Sequence, residues 1–474
     1  GEVVRGHRSR FAVVTPEGYE QEIFIDFDVV PWRGVDDQIV GTVVCARDVT
    51  IEVLRERADS ATAAELTQRF RRARDVIEEV QRVLLPSQLP VLPSLDVAAS
   101  YVVSGAEQAA GGDWFEVLPL ADGTVAAVVG DVVGHGVEAS AVMSQLRAVT
   151  LERLHAGATA TETMEALDRF VEVAPGGRAA RGCTLGLRPE SGEFEYCAAA
   201  HPPPLIVDPT GESYYLDPSG EGPLGEGGRR CAVRGVLAMD QVLLMYSDGI
   251  IERPTMSASA GTVELRQYAT DAVADRLMPA FSRARAVDRA TTQTLERATR
   301  YTGSNDDITL LAIQRCPRLN PLHVELRTDM PYGTRLRAAV RNWFRPDQAD
   351  HHALAHIDEI VAELCDNAAQ HAYGSDGGPI TVDVILRDDG VAVASVTDRG
   401  RWRPPPQPNT GRGLGFAIVQ HLSLRTTVDT DESGTTVTTE FRPWKQSHSS
   451  TSSPPTQPNE LFDVYIEQRP EQTI

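Results

Sequence analysis

At 474 residues the chain is too long for one hydrophobic core, and about three domains are expected. Its formal net charge of -22 excludes a nucleic-acid binder, which needs a basic footprint, and suits a protein that holds cations. No apolar run approaches the roughly 18 residues that cross a bilayer, no signal peptide is visible, and the six dispersed cysteines lack zinc-type spacing, so a cytoplasmic protein without a membrane segment is expected.

Residues 1–50 alternate as strands do, at Phe11-Ala-Val-Val14, Ile23–Val30 and Ile39–Cys45, which predicts a three-stranded antiparallel sheet. From Ile51 to Leu85 the pattern turns helical. Leu66, Phe70, Ala73, Ile77, Val80 and Leu84 recur at steps of four and three, the seam of a coiled coil, until Pro86 stops the helix. Such a seam predicts a homodimer through residues 51–85, or a helix packed on its own domain. Residues 87–316 alternate strand-like runs with two helical stretches, Ala139–Leu154 and Thr161–Val173. Val233 to Tyr246 reads as a hairpin. Residues 317–444 read as a separate α/β unit. It has helices at Thr334–Phe344, Ala353–His371 and Gly415–Leu422, and strands at Ile380–Leu386, Val391–Thr397 and Thr435–Phe441. Residues 445–474 are too polar to build a core and are expected to be disordered.

The chemistry of 87–316 sits on aspartates. Asp113 follows Gly111-Gly112, Asp131 ends Val125-Ala-Ala-Val-Val129-Gly130, Asp248 follows Val242–Tyr246, and Asp306 precedes Ile308–Ile313. Carboxylates at the ends of buried strands are costly unless something pairs with them. Several converging on one place call for hard cations such as Mg²⁺ or Mn²⁺, a pair of which can activate water against a phosphoryl group. No nucleophilic cysteine motif accompanies them.

These four motifs, in this order, resemble the metal-dependent protein phosphatase (PPM) family, closest to its bacterial stress-response and sporulation branch. The resemblance implies a β-sandwich flanked by helices and two Mn²⁺ or Mg²⁺ ions. Its ligands would be Asp113, Asp131 as the bridge, the carbonyl of Val132, Asp248 and Asp306, all counted as catalytic apart from Val132. Asp306 is preferred to Asp307 because it matches the first position of the family's acidic pair. Gly134 and Gly136 let the backbone turn beside the metals. His135 is either a general acid or a turn residue, and Glu116 either supports the metals or is a solvated strand-end carboxylate.

In the second unit, Glu363, Asn367 and His371 fall at i, i+4 and i+8 of one helix, sharing a face among apolar neighbours. Val396-Thr-Asp398-Arg-Gly400, Gly411-Arg-Gly413-Leu-Gly415 and Gly434-Thr435 follow. This series resembles the GHKL ATPase fold, specifically the serine kinases that act as bacterial anti-sigma factors. The resemblance implies ATP and Mg²⁺ as cofactors. Asn367 would hold Mg²⁺, Asp398 would accept from the adenine amine, and Thr435 would support the adenine. Gly400, Gly411, Gly413 and Gly415 would line the nucleotide, the last three offering amides to phosphate, and Glu363 would be the general base. Arg401-Trp402 replaces the family's second glycine after Gly400, which weakens the expectation of turnover.

The ending Arg47-Asp-Val-Thr50 resembles the exit of a PAS sensor domain, of which residues 1–50 supply only the second half. The whole is thus expected to be α+β and multidomain: partial PAS sheet (1–50), coiled-coil helix (51–86), phosphatase (87–316), GHKL domain (317–444) and tail (445–474). Opposed phosphatase and kinase activities make sense on one phosphoserine switch. In the families resembled this is a separate anti-sigma-factor antagonist of STAS fold, with a sigma factor as a further partner. A sigma-factor-sequestering scaffold with vestigial catalysis is the alternative.

Overall fold

The computed structural model describes residues 2–16, 18–35, 37–60, 65, 67–69, 88–103, 111–134, 136–174, 176–253, 256–276, 284–300, 306–344, 351–373, 377–400 and 414–451. It divides into two units, Gly1–Glu79 and Val80–Ile474.

In the first unit, Val4–Val14, Glu20–Arg33 and Ile39–Asp48 form an antiparallel sheet in chain order, as their alternation predicts. Residues 50–60 then turn into a helix. Thr50 holds the corner, its hydroxyl accepting from the Phe24 amide at 2.9 Å and its amide donating to Asp48 at 2.8 Å. Phe24, Val49 and Val53 make a small buried cluster, while Trp32, Val43, Val44 and Leu54 stay exposed. The coiled-coil seam from Leu66 to Leu84 lies outside the described residues.

The second unit begins with two sheets packed face to face. One runs Ser213–Tyr215, Leu205–Val207, Val242–Tyr246, Ile308–Arg315, Leu95–Val103 and His448–Thr451; the other runs Val233–Val236, Glu193–Ala199, Arg181–Leu187, Val125–Asp131 and Trp114–Pro119. Between them lies an apolar core that includes Val97, Phe115, Val129, Leu185, Tyr196, Met245 and Leu311. Both faces of the central strands are apolar, so each sheet also needs an outer cover. Helices Val137–His155 and Ala160–Val173 pack Met143, Leu146, Met164 and Leu167 with Trp114 and Cys197 of the five-stranded sheet. Helices Ala258–Val273 and Ala286–Thr299, which the sequence pattern did not reveal, cover Leu244, Tyr246 and Leu310 of the six-stranded sheet.

The expected hairpin at Val233–Tyr246 is corrected. Val233–Val236 pairs with Glu193–Ala199, whereas Val242–Tyr246 pairs with Leu205–Val207 and Ile308–Arg315. Leu237 is buried in the core between the sheets, and Asp240, at φ 66°, turns the chain from one sheet to the other.

The C-terminal half is a five-stranded antiparallel sheet in the order Leu322–Arg327, Pro379–Leu386, Ala392–Asp398, Gly434–Phe441, Arg425–Asp431. Its inward residues Ile380, Val382, Val384, Ala394 and Val396 pack with Leu336, Val340, Ile357, Ile360, Leu364 and Val419 of three helices. These helices are Gly333–Trp343, His351–Ala368 and Leu414–Leu422. The middle one ends in a π-turn, Ala369–Tyr373.

The segment beyond this sheet departs from the expected disorder over 445–451. Trp444–Gln446 pairs with Gln88–Pro90, and His448–Thr451 adds in parallel to the edge strand Leu95–Val103. Strand addition works through main-chain hydrogen bonds and needs no apolar side chains. Among the described residues no helix is long and apolar enough to cross a membrane.

Candidate active site and nucleotide site

The aspartates gather at one end of the two-sheet sandwich because the strands that carry them end there. Asp131 is the last residue of Val125–Asp131, Asp113 precedes Trp114–Pro119, which pairs with it, and Asp248 and Asp307 flank the paired strands Val242–Tyr246 and Ile308–Arg315. The Gly111-Gly112 turn crosses under Asp131. The Val132 amide donates to the Gly112 carbonyl at 3.2 Å, and a Cβ on Gly112 would run into the Val132 carbonyl. Ser140 anchors this turn from the first helix, its hydroxyl donating to the Gly111 carbonyl at 2.8 Å. Gly134 and Gly136 adopt φ 102° and 86°. Among the described residues a Cβ on either would meet nothing within 4 Å, so the backbone angle is what calls for glycine there.

Asp113, Asp131 and Asp248 are buried, whereas Asp306 is exposed. Thr309 donates its hydroxyl to Asp113 at 2.9 Å. Burial raises the Asp113 pKa well above the carboxylate range, with the charges of Asp131 and Asp307 adding to it. Burial also pushes Asp131 up to about 6, against the pull of Arg181, with Asp306 and Asp307 adding to the rise. It pushes Asp248 up to about 7, with Asp131 adding to it. These groups therefore feel one another's charge, and the protein compensates it incompletely.

Asp306 and Asp307 do different work. Asp307 is 4% exposed and accepts from the Gly112 amide at 3.0 Å and the Tyr101 hydroxyl at 3.5 Å, tying the glycine turn to the neighbouring sheet. Asp306 receives the Asp307 amide at 2.9 Å and bears on Asp131 and Asp248 by charge. Glu116 forms an ion pair with Arg147 of the first covering helix, so its carboxylate is engaged away from solvent. His135 lies outside the described residues.

Arg181 is the cation that sequence reasoning missed. It opens the strand Arg181–Leu187 and contacts both Asp131, at 2.7 Å, and Asp248. Its only sequence signal is a charge at the head of an apolar strand. Among the described residues no three His, Cys, Asp or Glu side chains stand in a metal-holding group. The donors still suit a hard cation: buried carboxylates whose charge Arg181 alone does not balance, and the Val132 carbonyl beside them.

In the other half, Asp398 and Thr435 are directly paired across strands, and both are buried. Burial raises the Asp398 pKa, while the Gly400 and Thr435 amides lower it. The Gly400 amide lies 3.0 Å from its carboxylate. Gly400 packs on the π-turn, where a Cβ would come within 2.5 Å of the Ala372 carbonyl. Single π-turns often mark functional positions. Glu363, Asn367 and His371 are half-buried, and Asn367 has a buried Nδ2 without a hydrogen-bond partner among the described residues. Gly411 and Gly413 lie outside the described residues; Gly415 falls in the helix Leu414–Leu422.

Residues 121–316 match the family described as stage II sporulation protein E (SpoIIE), and residues 328–441 match the histidine kinase-like ATPase domain. The crystal structure of the RsbU and RsbW domains of Rv1364c from Mycobacterium tuberculosis is 40% identical, with a TM-score of 0.69, over 78% of this chain and 98% of that one. Two more distant structures are also similar. One is the PP2C phosphatase domain of SpoIIE from Bacillus subtilis with a fragment of its regulatory domain (15% identity, 47% of this chain and 65% of that one, TM-score 0.39). The other is the SiaA-PP2C domain of Pseudomonas aeruginosa (17%, 53% and 99%, TM-score 0.40). The chain belongs to the family of RsbU–RsbW fusions, in which a SpoIIE-type PP2C serine/threonine phosphatase domain is joined to an anti-sigma kinase-like ATPase domain.

Proposed function

We propose that this protein removes phosphate from a phosphoserine on a STAS-type anti-sigma-factor antagonist, using two divalent cations, and that its ATP-binding half acts on the same antagonist or holds a sigma factor. The observation that carries the phosphatase reading is the convergence of Asp113, Asp131, Asp248 and Asp306 from four separate segments, with charges on one another that the protein does not balance. Asp113, Asp131, the Val132 carbonyl, Asp248 and Asp306 would hold Mn²⁺ or Mg²⁺. Ions bound there would supply Lewis-acid activation of a water and charge neutralisation of the phosphoryl group. The protein's own part is to keep the carboxylates in place through Thr309, Asp307 and the glycine turn.

In the ATP-binding half, the buried Asp398–Thr435 pair would receive adenine, Asn367 would hold Mg²⁺, and Gly400, Gly411, Gly413 and Gly415 would border the nucleotide. Glu363 would take the proton of a serine hydroxyl. Arg401-Trp402 in place of the second glycine favours a second reading for this half alone, nucleotide-gated binding of a sigma factor without phosphoryl transfer. Residues 1–50 would be a sensor remnant that signals through the helix after Thr50, by pairing two copies of the chain. Phosphate release from a phosphoserine STAS protein tests the main reading: it should require Mn²⁺ or Mg²⁺ and vanish in Asp131→Asn and Asp248→Asn. Metal-independent release, or release that survives both changes, would overturn it.

A further inference from the structure

Two arginines in the phosphatase half differ in how well they are satisfied. Arg230 is a finished structural group, its side chain 1% exposed. It holds Asp168 through two bonds of 2.7 Å and donates to the carbonyls of Glu221, Gly222 and Pro223. Arg181 is not finished. Among the described residues its Nε is buried without a partner, and its Nη2 meets Asp131 Oδ2 at 2.7 Å as one half of a contact shared with Asp248. Its side chain is 26% exposed, so part of it is in reach of solvent.

Its fork spans carboxylates of both sheets. Asp131 ends a strand of the five-stranded sheet, and Asp248 follows a strand of the six-stranded sheet. Both are proposed metal ligands. A guanidinium spreads one charge over a plane, so it balances two carboxylates only in part. A divalent cation on either carboxylate brings more charge to the same oxygens and repels the guanidinium. The partly exposed side chain is then free to turn towards solvent, and its fork matches two oxygens of a phosphoryl group as it matches two carboxylates.

We propose that Arg181 is the resident counter-ion of this site. It competes with divalent cations for Asp131 and Asp248, sets the metal concentration at which the site loads, and then turns to bind the substrate's phosphoryl oxygens. This inference rests on the two-metal reading above. It makes metal occupancy and phosphoryl recognition two positions of one side chain.

The test is calorimetric titration of Mn²⁺ into the full chain, as wild type, Arg181→Gln and Arg181→Lys. It is paired with hydrolysis of p-nitrophenyl phosphate at saturating Mn²⁺. In Arg181→Gln the Kd for Mn²⁺ should fall about tenfold, while KM rises by a similar factor. Arg181→Lys, whose compact ammonium cannot span both carboxylates, should bind Mn²⁺ tighter than wild type by a smaller margin; it carries the test if the Gln variant does not fold. Mn²⁺ bound no tighter by either variant overturns the counter-ion role. An unchanged KM beside tighter Mn²⁺ overturns the transfer to the phosphoryl group. A wild type that takes up no Mn²⁺ removes the two-metal reading itself, and this inference with it.

Discussion

Replacing Asp307 separates holding the glycine turn from holding metal. In the folded chain its carboxylate accepts from the buried Gly112 amide at 3.0 Å and from Tyr101 at 3.5 Å. Asp307→Ala leaves that amide without its charged acceptor, which costs about 2 kcal/mol for a bond of this kind. The loss is local, so the readout is hydrogen exchange of the peptide containing Gly112. A cost of about 2 kcal/mol corresponds to roughly thirtyfold faster exchange when opening is local. Asp307→Asn keeps an acceptor oxygen and should retain most of the protection. Asp306→Asn should leave Gly112 protected yet weaken Mn²⁺ binding, since its exposed side chain bears on Asp131 and Asp248 by charge. Unchanged exchange at Gly112 in Asp307→Ala would refute the assignment of Asp307 as the tie between turn and sheet.

His201 is 8% exposed, and burial holds its pKa down at about 4. The stability this contributes is present above the unfolded value near 6.5 and is lost as pH falls towards 4, about 3 kcal/mol in all. The unfolding midpoint of wild type minus that of His201→Gln should therefore shrink across this window; parallel profiles would count against it. Asp398→Ala should weaken binding of a fluorescent ATP analogue by at least about tenfold, as loss of a buried polar partner does, and leave phosphate release by the other half intact. Ending the chain after Pro443 removes both added strands, and with them the pairing partners of Gln88–Pro90 and of the edge strand Leu95–Val103. The phosphatase unfolding midpoint should drop by roughly 5 °C, and an unchanged midpoint would mean the added strands contribute nothing.

The aspartates were legible because each borders a run of buried strand residues, where a carboxylate needs a reason. The helix carrying Glu363 and Asn367 was legible because polar groups four apart interrupt an apolar face. Arg181 was not. Its partner Asp248 is 67 residues away, and no local pattern announces a pairing made by topology. The helices Ala258–Val273 and Ala286–Thr299 escaped because, beside Leu265, Val273 and Val287, they bury Gly261, Ala269, Thr270 and Ala272, and Ala290, Thr291, Thr294 and Ala298. Small and hydroxyl residues leave little apolar period to detect. The strand Arg425–Asp431 escaped for a related reason: it is a largely exposed edge strand rich in Thr and Asp.

The misread segment after Trp444 bears on how the two halves work together. Val91, from the start of the phosphatase half, is buried in the apolar cluster of the ATP-binding half, and its amide meets the Pro443 carbonyl at 3.5 Å. Gly390, in the turn between two strands of the ATP-binding sheet, faces Pro119 and Leu92. The chain leaves the phosphatase half, builds the ATP-binding sheet, and returns to pair with Leu95–Val103. That strand carries Tyr101, whose hydroxyl reaches Asp307. A shift of the ATP-binding sheet therefore has a continuous physical route, through the returning strand and Tyr101, to the turn that holds Asp113. Such a route couples two sites only if it has two arrangements of comparable energy. The added strand, four polar residues at the edge of the sheet, is the short element of this route where local opening would begin.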